Sequence, residues 1–427
     1  MPPIDDHPLR YTLANELHAR PFPAVEAPCH ALLLAIKPAR DAVKRDRARD
    51  RAHLQALLDR FGAAHPPPGA THHFADLGHA AVKWESHTEF VTYTAFSPGL
   101  GTRPFDPALF GVFPSDWLEE APGVRVSSVI LRIDHIPEDE SAIARSLADW
   151  FVPESLACSR VQDGAAVIAS DFRIDAAGHL RMALFVPPGT GPRRIGRIVQ
   201  RLCEIETYKS MSMLGLARAR TLSARMGQLD NRLSETVAAM TADDSRPEET
   251  LEALLTISAE LESILMQSSF RYGATEAYEA IVHQRIDVLR EERMEGRQTF
   301  GEFMMRRYDP AMRTVKASEA RLQSLAERAM RAGTLLGTRV DVDRSGQNQT
   351  LLESMNRRAD MQLRLQRTVE GLSVVAISYY AVGLASNLAV PAGAAAGLSQ
   401  IMVTALLTPP VVLAVWFLVR RIREKIT

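Results

Sequence analysis

The sequence predicts three structural classes in succession: an α/β N-terminal cytosolic domain over residues 1–190, a long-helix stalk or bundle over 191–370, and a two-helix transmembrane hairpin over 371–419 with a basic tail, 420–427. Three observations carry this prediction. Short β-rich runs alternate with helical patterns up to about residue 190. From Arg193 to Glu370 the only prolines are Pro247 and Pro310, and from Gly371 to Val419 a run of 49 residues holds no Asp, Glu, Lys, Arg or His. A chain of 427 residues also exceeds what one hydrophobic core organises, so several units are expected.

In the first class, Cys29 to Ile36 reads as a buried strand and Asp41 to Phe61 as a charged helix. Ala80 to Phe96 is one long strand or a hairpin, Val124 to Ile136 a strand, Glu138 to Phe151 a helix, and Ala165 to Ile174 with His179 to Val186 two further strands. An α/β sandwich follows. Cys29, Cys158 and Cys203 fit neither a metal-binding pair nor a disulfide framework and read as reduced core thiols.

Candidate chemistry concentrates in two places here. In Trp84-Glu-Ser-His-Thr-Glu-Phe90, a strand period of two puts Glu85, His87 and Glu89 on one face. That is a donor set for a divalent metal ion, the one cofactor the sequence suggests, or for acid–base work; the other reading is a hydrated sheet face opposite Trp84 and Phe90. His72, His73 and His79 add ligands only if the Asp76-Leu-Gly turn folds back. In Asn15-Glu-Leu-His-Ala-Arg-Pro21, the side chains of Asn15, Glu16, His18 and Arg20 form either a clamp for an anionic ligand or a segment docked by Leu17 and Phe22. No motif names an enzyme class.

The helical middle opens with Leu222, Met226, Leu229, Leu233, Val237 and Met240 at spacings of three and four. Ser245 and Glu248 have capping-box spacing for a second helix. A third helix is predicted after Pro310, with a break near Gly333 to Gly346. Leu351, Met355, Arg358, Gln362, Leu365, Val369 and Leu372 keep one heptad register into the charge-free run, as in a self-associating stalk or an antiparallel three-helix bundle.

As one helix the charge-free run would extend about 73 Å, against a hydrocarbon core of about 30 Å. It is predicted to cross twice, over about 371–390 and 398–419, with a break at Pro391 to Gly397 and a bend at Thr408-Pro-Pro410. Arg357, Arg358, Arg364 and Arg367 precede the first span and Arg420, Arg421, Arg423 and Lys425 follow the second, so both ends are expected in the cytoplasm. No signal peptide is evident at the N-terminus, and a multi-pass protein of the cytoplasmic membrane follows. Ser373, Ile377, Tyr380, Leu384 and Asn387 share a heptad face in span one, so Ser373, Tyr380 and Asn387 either line a pore or cement helix packing. Lys plus Arg (50) balances Asp plus Glu (51), which argues against nucleic acid as a partner.

Asn15 to Pro21, Trp84 to Phe90 and Leu363-Arg-Leu-Gln-Arg-Thr-Val-Glu-Gly-Leu-Ser-Val-Val375, running to Tyr380, resemble stretches of an uncharacterised bacterial family of membrane-anchored proteins. That resemblance implies anchoring and no activity. The order of elements also resembles the CorA-type divalent-cation transporters, which implies a homo-oligomer, a pentamer in that family, with span one lining the pore. The Gly-Met-Asn of that family is absent; the corresponding region reads Leu384-Ala-Ser-Asn-Leu388, in which only Asn387 corresponds. The expectations for function are an ion-conducting homo-oligomer with a cytosolic sensing domain, a non-conducting scaffold acting through its stalk, and a metal-dependent enzyme, in that order.

Overall fold

The computed structural model describes residues 4–16, 21–39, 45–240 and 246–426. It forms two compact units, Met1–Asp244 with Glu252–Ala332 and Ser245–Leu251 with Gly333–Thr427.

The first unit is an α/β sandwich on a sheet that has nine strands among the described residues: β1 (Cys29–Lys37), β2 (His72–Asp76), β3 (Ala81–Ser86), β4 (Val91–Pro98), β5 (Val124–His135), β6 (Ala157–Val161), β7 (Ala166–Ile174), β8 (Leu180–Val186) and β9 (Glu292–Arg293). Their order is β2-β3-β4-β1-β5-β8-β7-β6-β9, antiparallel except where β5 runs parallel to β8. Every residue of β1 is buried because both faces of the sheet are covered, which is why its sequence is a continuous apolar run without alternation. Leu32 and Leu34 face a core built with α2 (Arg47–Arg60), α3 (Ser115–Glu119) and α4 (Ser141–Trp150). Ala31 and Leu33 face the opposite core, which Ile195, Ile198, Val199 and Leu202 of α5 (Pro192–Ala239) close together with Phe300.

The predicted strand Ala80 to Phe96 is the β3–β4 hairpin, reversing at His87 to Phe90, where the His87 amide donates to the Phe90 carbonyl (2.9 Å). Upstream the chain does fold back: Gly78, at φ +85°, allows β2 to pair with β3 and sets His72 opposite Glu85. The short strands β2, β6 and β9 have no counterpart in the predicted elements.

Two long helices complete this unit, α6 (Pro247–Asp287) and the first part of α7 (Phe300–Ala395). Leu222, Met226, Leu229 and Leu233 of α5 are buried with Leu254, Ile257 and Leu261 of α6 and Leu322, Leu325 and Ala329 of α7. Arg225 pairs with Glu260, Lys316 with Glu279 (2.9 Å), and Asp230 takes both Arg321 (3.1 Å) and Arg328 (3.0 Å), contacts that run α6 antiparallel to its neighbours. This is the three-helix bundle, and Val237 lies outside it, exposed. Ser245 of the predicted capping box lies outside the described residues.

The start of α7 corrects the prediction. The helix begins at Phe300, and Pro310 sits inside it. Its N-terminus carries a capping box: Thr299 Oγ1 accepts from the Glu302 amide (3.1 Å) and the Glu302 carboxylate accepts from the Thr299 amide (3.0 Å). The helix is unbroken through Gly333 and Gly346 and passes Pro391 to end at Ala395. There Gly397 takes φ +76°, its amide donating to Ala394 (3.2 Å) and that of Leu398 to Gly393 (3.0 Å), the Schellman pattern. The glycine, and not Pro391, ends the helix.

In the second unit every residue of α7 from Asp341 to Val369 is exposed. Beyond it α7 and α8 (Gln400–Ile426) are two helices long and apolar enough to cross a membrane. α8 continues through Pro409 and Pro410. Gly371, Val374, Ser378, Ser386 and Gly393 lie along the side of α7 that meets α8. Ser378 and Ser386 are buried, and a Cβ on Gly393 would come within 2.5 Å of a Val403 methyl.

Two outcomes follow for the first unit. A Cβ on Gly196 of α5 would lie 1.7 Å from the Pro23 carbonyl oxygen, so Gly196→Ala should destabilise the protein by about 1–3 kcal/mol in denaturant titration, whereas Gly227→Ala, in open space on the same helix, should not. His53 is buried, with Nδ1 3.1 Å from the Tyr93 hydroxyl and Nε2 2.9 Å from the Trp117 carbonyl; burial lowers its pKa below the ordinary 6.5, as it does for His30 and His179. The unfolded chain therefore takes up these protons first as pH falls. Stability should be full above about pH 6.5 and decline below it, as melting curves between pH 8 and 5 would record.

Candidate functional site

The hairpin end of β3 and β4 gathers the ionisable groups that the sequence singled out. Lys83 and Glu85, two apart on β3, share a face, with Nζ 3.2 Å from the Glu85 carboxylate. Lys83 also donates to Gln200 of α5 (2.9 Å); Gln200 donates to Glu204 (2.7 Å), which pairs with Arg285 of α6. Glu85 and His87 line one cavity of about 30 Å³ with Gln200, Cys203, Glu204 and Tyr208, room for a single water molecule.

Past Ser86 the strand period is lost, and the prediction that Glu85, His87 and Glu89 share a face is corrected. The His87 ring stacks on Phe90 at 4.3 Å, with Nε2 3.3 Å from Thr92 Oγ1 and Nδ1 3.5 Å from the Tyr208 hydroxyl. Glu89 turns the other way. Wholly buried, it accepts two hydrogen bonds from Arg271 and one from the Tyr278 hydroxyl (2.9 Å), both on α6, with Lys37 Nζ at 3.8 Å. Burial first, then the negative charge of Glu89, pushes the Tyr278 hydroxyl far above its usual pKa, so it stays protonated and keeps donating. Burial lowers the Lys37 pKa, a tendency that Glu89 opposes.

Among the described residues, no group of three or more His, Cys, Asp and Glu is placed to hold a metal ion. The cation beside Glu85 is the Lys83 ammonium, and those facing Glu89 are Arg271 and Lys37. His73 Nε2 donates to the Ala64 carbonyl (2.8 Å), and His79 packs on Phe61. The arrangement is suited to fixing the hairpin against α5 and α6 through charge-assisted hydrogen bonds.

Of the N-terminal clamp, His18 and Arg20 lie outside the described residues, as do the side chains of Asn15 and Glu16 at the end of α1 (Arg10–Glu16) and Leu17. Phe22 is exposed; Pro23 and Val25 dock this segment instead, the Val25 amide donating to the Pro192 carbonyl (3.1 Å).

In the apolar hairpin, Tyr380 is 72% exposed, Leu384 67% and Ile377 47%; Asn387 is exposed and Ser373 half-buried. This stripe points away from the side that meets α8, where the small residues Ser378 and Ser386 sit. The sequence reading missed that small-residue side, and it missed Lys83, Arg271 and Tyr278. Lys83 was legible as the residue two before Glu85; no local signal links Arg271 or Tyr278 to Glu89.

A family model described as "Protein of unknown function (DUF3422)" matches residues 5–426. No curated protein and no solved structure matches.

Removing one partner of a buried ion pair costs about 3–5 kcal/mol, so Glu89→Ala should lose stability on that scale and Tyr278→Phe roughly 1–3 kcal/mol in urea titration. Burial pushes the thiols of Cys29, Cys158 and Cys203 up to about 12. At pH 7.5 the folded protein should take up no iodoacetamide, and the unfolded chain three equivalents by mass spectrometry.

Proposed function

We propose that this chain, which belongs to the family described as protein of unknown function (DUF3422), is a membrane-anchored homo-oligomer assembled through α7, with a polar path for small ions along the oligomer axis. The observation that carries the reading is the outward stripe of α7. α7 is exposed from Asp341 to Val369; beyond the pair of Arg344 with Glu248 of α6 (2.7 Å), Leu351, Met355, Leu365 and Val369 recur on it at heptad spacing, each more than half exposed. A lone helix with an apolar seam gains most by packing on copies of itself. Continuing into the apolar segment, Tyr380 and Asn387 project away from α8, and polar groups facing lipid are costly unless they meet partners or water. A symmetric axis supplies both.

In this reading both basic flanks lie in the cytoplasm, the turn near Gly393 lies outside, and the α/β unit is the cytosolic sensing part. The CorA-type likeness contributes the order of elements and the idea of a central span one, not an ion. A non-conducting scaffold assembled by the same seam is the second reading; Arg358 and Gln362 within the seam can set register in either.

The buried native thiols provide a silent background for the test. Single cysteines at 373, 377, 380, 384 and 387 should react with a membrane-impermeant thiol reagent at helical periodicity, and Asn387→Leu should lower ion flux in liposomes through an apolar constriction. Uniform protection of all five in a preparation of oligomeric mass would replace the conducting reading by the scaffold. Then Asn387→Leu should cost only about 0.6 kcal/mol of stability, the average for a hydrogen bond within a membrane.

A further inference from the structure

The ends of the charge-free run meet in the second unit. Gly371 opens it on α7, Val419 closes it on α8, and between the two helices at this level lies a cleft of about 620 Å³. Its rim is charged: Arg367 and Glu370 on α7 and Arg420 on α8. Its floor is apolar, formed by Gly371, Val374 and Trp416, and the Arg420 guanidinium lies over the Trp416 ring with its carbon 5.4 Å from the ring centroid.

We propose that this cleft is a binding site for the phosphate headgroup of an anionic phospholipid. The inference rests on the membrane anchoring proposed above and adds a ligand to it. The size lies within the roughly 300–1,000 Å³ of small-molecule sites. Two guanidiniums against one carboxylate leave a net positive rim, and guanidinium is the side chain whose planar donors match phosphate oxygens in pairs. The position matters as much as the charge. Arg367 and Arg420 bracket the apolar spans, the depth at which headgroup phosphates lie, and Trp416 has the amphipathic ring that settles at that boundary. Val374 and the Trp416 face give the first carbons of an acyl chain an apolar wall, which a free anion would not use. Basic clefts between spanning helices on the cytoplasmic side are suited to this class of ligand.

The test uses the full-length protein, reconstituted from equal parts phosphatidylglycerol and phosphatidylcholine and re-extracted in mild detergent for native mass spectrometry. Wild type should retain phosphatidylglycerol in preference to phosphatidylcholine, and Arg367→Ala with Arg420→Ala should lower that retention roughly tenfold or more. Arg357→Ala with Arg364→Ala removes the same charge outside the cleft and off the α7 seam and should leave retention within about twofold. Equal loss in both pairs would reduce the effect to general surface charge and overturn the site. Inorganic phosphate should not raise the melting temperature of wild type above that of the cleft double variant; if it does, the cleft takes free anions and the lipid assignment fails. A spontaneous disulfide between subunits carrying Val374→Cys, with no lipid retained, would assign the cleft to a second copy and overturn the proposal. Carbonate extraction separates the two layers of inference. Protein that stays in the bilayer without lipid preference refutes the cleft alone, whereas protein washed off the bilayer refutes the anchoring and the cleft with it.

Discussion

A carboxylate with no access to water has to be neutralised where it stands, and Glu89 meets that requirement chiefly because α6 passes over the β3–β4 turn, with Lys37 of β1 adding a more distant charge. Arg271 supplies two charge-assisted hydrogen bonds and Tyr278 a third, from residues nearly two hundred positions away in the chain. The sheet thereby fixes where α6 lies along it. With α6 placed, the antiparallel bundle with α5 and α7 follows, and Asp230, held by Arg321 and Arg328, keeps its register further along. The network of Lys83, Gln200, Glu204 and Arg285 makes a second link of the same kind. Both are polar contacts between a sheet and its covering helices, where apolar packing alone would tolerate sliding.

Local patterning made much of this architecture legible in advance. The apolar run of β1, the hairpin around Trp84 to Phe90 and the chargeless run after Gly371 each state their structure within a dozen to fifty residues. The remainder is either a local signal that competes with another or a nonlocal contact. Thr299 and Glu302 spell a capping box in the sequence, and Pro310, nearby, is a competing start signal that α7 accommodates within the helix. The short strands β6 and β9 were illegible for a different reason. β9 is two residues long and exists because Glu292 and Arg293 pair with Arg160 and Ser159, a contact that no periodicity encodes.

The candidate site was half legible. Glu85 and His87 do share a cavity, as alternation on a strand suggests, but that rule holds only while the strand continues. At His87 the chain turns, and the third residue of the set becomes the most buried carboxylate of the hairpin. In the apolar spans the heptad rule groups Ser373, Ile377, Tyr380, Leu384 and Asn387 on one stripe of α7. It said nothing of which face packs on α8, because that is decided by side-chain size: the small residues Ser378, Ser386 and Gly393 let two helices approach, and bulkier Tyr380 and Leu384 are left outside.

The cover of the sheet has a consequence for biosynthesis. The face carrying Ala31, Leu33, Leu131 and Leu184 is closed mainly by α5, with Val25, Leu289 and Phe300 completing the core, and every strand except β9 is complete in the nascent chain more than a hundred residues before Phe300 is added. Until α5 follows β8 the growing polypeptide carries that face open and apolar; afterwards the Phe300 side of the core and the pairing of edge strand β6 with β9 remain to be completed. A chain translated to residue 190 and released there would be a sticky half-sandwich. The stage between the end of β8 and the folding of α5 is thus the one at which the nascent chain is most prone to aggregate.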